Sequence, residues 1–138
     1  MSNEITHVTL ERMKAALKEL GYEVGEQQET LFATFNEFPV IIRKEMAAPF
    51  LLVRGWLPEP LPPSSKDDIL LWIEGQHQAE YFPKSFVDNT EGGLDFFAEV
   101  YQPIMSGMND EQLKLMVETA LESVVARLTH ATRRFSQR

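Results

Sequence analysis

Cysteine is absent from the 138 residues, which excludes a disulfide framework, a thiolate metal site and a cysteine nucleophile. A reducing cytoplasm suits such a chain, and its core alone must hold it together. At this length one domain buries about two thirds of its unfolded surface, so a single unit spanning residues 1–138 is expected. Long hydrophobic runs are missing as well. The longest, residues 46–53, has eight residues with Pro49 inside it, against the roughly 20 that a membrane-spanning helix needs. The opening Met-Ser-Asn-Glu-Ile-Thr-His has neither a basic n-region nor an apolar h-region, so no secretory leader is expected.

Positive charge is scarce: 13 Lys and Arg stand against 21 Asp and Glu, a net charge of −8. Such a field repels phosphate backbones and anionic lipid headgroups, so neither nucleic acid nor membrane is an expected partner. The one basic cluster, Arg127, His130, Arg133, Arg134 and Arg138, falls where a last helix ends and is expected to complement its macrodipole. A docking patch for an acidic partner is the alternative reading.

Catalytic signatures are lacking too. Neither GxxxxGK[ST] nor GxGxxG occurs, and there is no Gly-x-Ser-x-Gly elbow. The histidines are His7, His77 and His130. Only His77, three residues after Glu74, invites a metal reading, and a di-iron bundle needs two such pairs plus further glutamates; a polar helix face is the expected role. Asp67 and Asp68 suit a first helical turn. No catalytic residue, no metal ligand and no cofactor is expected, and the chain does not read as an enzyme.

What is present is periodic. Leu10, Met13, Leu17 and Leu20 recur at helical spacing, with Thr9 placed to cap, Val8 to staple onto Met13 and Gly21 to stop the helix. The period then changes to strands: a short Tyr22-Glu-Val24, then residues 30–35, 38–43 and 50–56, too close together for crossover helices and therefore an antiparallel meander. The rigid Pro58-Glu-Pro-Leu-Pro-Pro63 spaces the chain toward a second helix, an SH3-type PxxP ligand being the alternative. Ser64 or Ser65 can cap that helix, Ile69, Leu70, Trp72 and Ile73 supply its buried stripe, and it runs to about Ala79.

Residues 84–88 and 94–101 read as the two strands of a hairpin joined by Asn89-Thr-Glu-Gly-Gly93, whose glycines permit positive φ. On the returning strand Leu94, Phe96, Ala98 and Val100 share one face and Asp95, Phe97, Glu99 and Tyr101 the other. Asn109-Asp-Glu-Gln112 opens a last helix with a capping box, and Leu113, Met116, Val117, Ala120, Leu121, Val124 and Leu128 form its stripe over more than twenty residues. The predicted fold is α+β: a twisted antiparallel sheet of about five strands flanked by three helices, in the order α-β-β-β-α-β-β-α.

The strands carry bulky residues on both parities: Leu31 and Phe35 against Phe32, Val40 and Ile42 against Ile41, Leu51 and Val53 against Leu52 and Trp56, Phe96 against Phe97. A sheet with helices on one side and water on the other would leave the second face mostly polar. Here that face mixes aromatics with Arg43, Arg54, Asp95 and Glu99, the composition of a protein contact surface. Helices on both faces, or a parity shift at a bulge, would explain the same pattern.

The chain from about Val8 to Thr132 resembles the YbjN-like family of bacterial proteins, named as candidate sensory transduction regulators. The resemblance is carried by the order of elements and by Leu20-Gly-Tyr22 closing the first helix, Phe82-Pro-Lys84 entering the hairpin, residues 94–100 returning, and Asn109-Asp-Glu-Gln-Leu113 opening the last helix. It implies the fold of type III secretion chaperones and a small, acidic, often dimeric binding protein without cofactor. The reading that follows is a noncatalytic interaction module, regulatory or chaperone-like, that binds a protein partner or a second copy of itself. Ile41, Arg54, Trp56, Phe97 and Tyr101 are its candidate contacts, the aromatics as anchors and Arg54 as a polar clamp. The alternative is a small-molecule-sensing regulatory domain with a pocket between sheet and helices.

Overall fold

The computed structural model describes residues 4–45 and 49–136; the first three residues, Met46 to Ala48 of the apolar run and Arg138 of the basic cluster lie outside the described residues. Along the chain the elements are α1 (Leu10–Glu19), β1 (Gly25–Gln27), β2 (Thr30–Phe35), β3 (Phe38–Glu45), β4 (Phe50–Trp56), a 3-10 turn (Pro63–Ser65), α2 (Lys66–Ala79), β5 (Lys84–Thr90), β6 (Gly93–Pro103) and α3 (Asp110–Phe135).

The helix ends follow local chemistry. Thr9 accepts from the Arg12 backbone N–H at 3.2 Å to open α1, and Gly21, at φ 87°, closes it while Tyr22 and Gly21 donate to the carbonyls of Leu17 and Lys18. Asn109 and Gln112 form the reciprocal capping box of α3. Arg12 ties the two helix starts together, donating to the Met108 carbonyl at 2.7 Å and to the Asp110 carboxylate at 3.0 Å. Ser65 precedes α2 but makes no side-chain cap; the 3-10 turn feeds the helix instead.

The sheet has six strands rather than five, all antiparallel, in the order β1-β2-β3-β4-β6-β5. The additional strand arises at the start. Tyr22 and Val24, expected as a strand, pack against the core edge instead, Tyr22 edge-on to Phe35 with ring centroids 5.0 Å apart. The pairing segment is the polar Gly25–Gln27, reached through a turn in which Gln28 and Glu29 both take positive φ. That is the backbone of a two-residue hairpin turn, made without the glycine or asparagine that normally announces it. The β5–β6 turn is also tighter than expected: pairing continues to Thr90 and Gly93, and of the two glycines only Gly93 has positive φ.

All three helices lie on one face of the sheet. Gly55 of β4 faces α3, where a Cβ would meet Val124 and Leu128. Register carries the same parity across the sheet, to Leu31, Val40, Ile42, Leu51, Val53, Phe96 and Ala98. These residues form one core cluster with Met13 and Leu17 of α1, Ile69 and Ile73 of α2, and the α3 stripe from Leu113 to Ala131. Trp72 of α2 sits between the rings of Phe96 and Phe135, at 6.0 and 5.6 Å. Leu70, expected in the buried stripe of α2, is 45% exposed; the helix turns Ile69, Trp72 and Ile73 to the core instead.

Beyond β4 the proline-rich segment stays on the same edge of β6: Leu57 donates to the Phe96 carbonyl, and Leu61 and Leu94 exchange both backbone hydrogen bonds. The close approach explains Gly93, where a Cβ would collide with the Leu61 carbonyl oxygen. Arg127 requires a correction. It is not part of the helix-end cluster; α3 continues through Phe135, and Arg127 is 2% exposed. It donates to Ser85 Oγ at 2.6 Å and to Glu80 Oε1 at 3.1 Å, pinning α3 to β5 and to the end of α2. Arg133 and Arg134 remain in the last turn. Among the described residues no helix is long and apolar enough to cross a membrane.

Candidate functional site

The face of the sheet opposite the helices is built by the other strand parity. Cross-strand register places Ile41 beside Arg54, Arg54 beside Glu99, Trp56 beside Phe97, Leu52 beside Tyr101 and Phe86 beside Phe97. Ile41, Arg54, Trp56, Phe97 and Tyr101, singled out from the sequence, thus share one surface. None of them belongs to the core cluster or packs against it, and among the described residues no helix covers them.

The surface has its own internal order. Phe86 and Phe97 stack with centroids 4.8 Å apart and planes 12° from parallel, and Trp56 adjoins Phe97 at 6.3 Å. The Arg54 guanidinium lies 5.7 Å and the Lys84 ammonium 5.8 Å from the centre of the Phe86 ring, a cation–π arrangement. Arg54 Nε also donates to Glu99 Oε1 at 2.8 Å. Phe50 meets Tyr101 edge-on at 6.1 Å. Further along, the Phe32 ring covers Gly25, where a Cβ would come within 2.5 Å of it.

Two residues on this face are buried although, among the described residues, no helix covers it. Leu52 is 0% exposed and Glu99 2%. Leu52 is buried yet stands outside the core cluster. Its register partners are Arg43 and Tyr101, bulky side chains of the kind that shelter one another on a pleated surface. Glu99, expected on an amphipathic outer surface, is instead a desolvated carboxylate whose charge is met by Arg54. Ile41, Arg54, Trp56 and Phe97 are half-buried, and Tyr101 is 45% exposed.

Sequence reasoning missed the junction at the start of β5. His77 was expected merely to line a polar helix face; its Nε2 accepts from the Ser85 backbone N–H at 2.9 Å. Loss of water around the ring, with the nearby charges of Arg127 and Lys84, lowers the pKa of His77 below its ordinary value. A neutral imidazole is the form that can accept this bond. The signal for Arg127 was present: it lies three residues after Val124 and four before Ala131, on the apolar stripe itself. Among the described residues no group of three or more His, Asp or Glu side chains is placed to hold a metal ion.

Among the clefts that the described residues form along the sheet are two lined by β6 or by the proline-rich segment. One, of about 640 Å³, lies between the proline-rich segment, the Asn36–Glu37 turn and the end of α3 at Arg133. The other, of about 590 Å³, runs between β6 and the first half of α3 and is walled by Tyr81, Phe82, Leu115 and Met116.

No protein-family model matches the chain, and no curated protein matches it in sequence. Solved structures do match in shape. The crystal structure of YbjN from E. coli, described as a candidate transcription regulator, superposes with a TM-score of 0.79 over 96% of this chain and 98% of that one, at 15% identity. A chain of the HopA1–SchA chaperone–effector complex superposes with a TM-score of 0.63 over 87% and 89% of the two chains, at 14% identity. The fold is therefore that of YbjN and of a chain in a chaperone–effector complex, in line with the fold that the sequence resemblance implied.

Proposed function

We propose that this chain is a noncatalytic protein-interaction module, regulatory or chaperone-like, that receives a protein partner or a second copy of itself on the helix-free face of its sheet. One observation carries the reading: the half-buried Ile41, Trp56 and Phe97 and the exposed Tyr101 share one face with Arg54, outside the core and, among the described residues, beneath no helix. Large aromatics with an arginine, set on a rigid platform, are the usual anchors of protein contacts. At the centre of the face the Glu99 carboxylate is occupied by Arg54, which suits adhesion better than acid–base chemistry. The shape shared with a chaperone–effector complex supports the same reading.

The test compares wild type with Trp56→Ala and Phe97→Ala. Sedimentation over a concentration series reports self-association, and affinity capture from the host reports partners. The reading expects weakened assembly or capture with a thermal midpoint close to wild type. Unchanged association with a large loss of stability would place these rings in the service of the fold alone.

The second reading, a small-molecule-sensing domain, rests on the cleft beside the proline-rich segment. Thermal shifts across a metabolite panel separate the two, since a ligand of the folded state stabilises it by mass action.

A further inference from the structure

Strand β6 outruns its neighbour. The β5 pairing ends at Lys84 opposite Glu99, whereas β6 continues through Pro103 along β4. Backbone direction on this overhang follows from the flanking bonds. The Phe96 carbonyl accepts from Leu57 and the Ile104 N–H donates to Pro49, both toward β4. Even-numbered residues of β6 therefore turn their backbone groups to β4, and odd-numbered ones turn theirs to the β5 side. Tyr101 is odd. Among the described residues nothing meets its N–H and C=O on that side, where β5 has already ended. The next odd residue is Pro103, which has no N–H.

This unpaired rung opens into the cleft between β6 and α3, with Leu115 (64% exposed) and Met116 on the helix side and the exposed Tyr81 and Phe82 opposite. Lys84 stands at its β5 end. Glu99 there is already paired with Arg54, while Lys84 forms no ion pair among the described residues, so the local balance of Arg54, Lys84 and Glu99 is one positive charge.

We propose that this overhang binds the extended C-terminal end of a protein partner as an added antiparallel strand, its terminal carboxylate against Lys84. Three features select this occupant. A free N–H and C=O pair takes up backbone, which a helix cannot offer. An antiparallel strand in this row runs toward Lys84 with its C-terminal end leading, and β5 occupies the row ahead, so the strand ends there. A parallel strand would instead bring its amino end to an ammonium group. The register is also specified: the penultimate residue exchanges both hydrogen bonds with Tyr101, and the last and third-from-last side chains turn toward Leu115 and Met116, so those positions are apolar. The proposal stands apart from the sheet-face reading, because it uses the backbone of Tyr101 and not Trp56 or Phe97.

The probe is a library of random heptapeptides displayed with free C-termini and selected on the full chain; the best binder is then synthesised as free acid and as C-terminal amide. Enriched peptides are expected to carry apolar residues at the last and third-from-last positions, and the free acid to bind about tenfold more tightly than the amide, the scale of one charge-assisted contact. Lys84→Gln should erase that difference. Tyr101→Val, which keeps the N–H, should bind within about threefold of wild type, and Tyr101→Pro, which removes it, about tenfold more weakly. Protection of the Tyr101 amide from hydrogen exchange on peptide saturation gives the same information should the proline variant fold poorly. Trp56→Ala should leave peptide binding unchanged, which separates failure here from failure of the sheet-face reading. Absence of enrichment, equal binding of acid and amide, or no protection of the Tyr101 amide would overturn the proposal.

Discussion

His77 on α2 and Ser85 on β5 are joined by a 2.9 Å hydrogen bond from the Ser85 backbone N–H to the imidazole Nε2. A helix side chain thus occupies an outward-facing donor of an edge strand, a group that would otherwise be free to pair with another chain. The Ser85 hydroxyl is held from a second helix by Arg127, so one residue fixes the relative position of α2, β5 and α3.

The bond makes stability depend on pH in a defined direction. The pKa of His77 is lowered in the folded state from the ordinary 6.5, so between the two values the unfolded chain binds more protons. The His77 contribution is fully present above about pH 6.5 and is lost as pH falls through that value toward the lowered folded-state pKa. Urea unfolding across pH 5–8 should show this slope, and His77→Gln, whose amide oxygen can accept but does not titrate, should flatten it.

Arg127 is a buried cation with two partners, and its replacement separates packing from charge. Arg127→Ala should lower stability by about 2–4 kcal/mol, since it opens a cavity and leaves the Ser85 hydroxyl, itself buried, without its donor. Arg127→Met, which keeps most of the volume, should lose less. Glu80→Ala should also destabilise by more than the roughly 0–1 kcal/mol of a surface ion pair, because it leaves the Arg127 charge buried without a counter-ion. Denaturant midpoints of the three variants check the order.

Arg54 and Glu99 form the corresponding pair on the opposite face. Removing the arginine leaves a carboxylate that is almost wholly shielded, so Arg54→Ala should destabilise by about 3 kcal/mol, and adding Glu99→Ala should recover part of the loss. A double-mutant cycle in thermal unfolding measures that coupling. An additive result would mean that water reaches Glu99.

Gly55 of β4 lies tight against α3. A Cβ there would lie 2.9 Å from Val124 Cγ1, 3.0 Å from Leu128 Cδ1 and 3.2 Å from Val40 Cγ2. Gly55→Ala should therefore destabilise by about 1–3 kcal/mol through overpacking, although alanine suits a strand better than glycine does. A rise in thermal midpoint would show that α3 shifts freely on the sheet.

The helices, and the caps of α1 and α3, were legible because apolar spacing and capping residues act locally: Thr9, Gly21 and Asn109 each perform the role their chemistry suggests, whereas Ser65 does not cap α2. Strands β2 and β4 fall where alternation places them. Strand β1 escaped because its turn is made by Gln28 and Glu29 at positive φ, residues that carry little turn signal. The parity of the contact candidates was also readable, since strand periodicity fixes which residues share a face. What covers each face was not, for it depends on where three helices dock. The burial of Glu99 and the unpaired rung at Tyr101 were likewise hidden, because both depend on strand register, which arises from pairs of segments and not from either alone.

The two ends of β6 differ in their exposure to unwanted growth. At Leu94 the chain's own prolines run alongside, supplying one reciprocal rung at Leu61 and then withholding donors. Such a border cannot template a lengthening ladder, so fibril-like stacking from that margin is disfavoured. Conversely, a variant that replaces Pro60 and Pro62 with strand-forming residues would convert a guarded margin into a seed for aggregation.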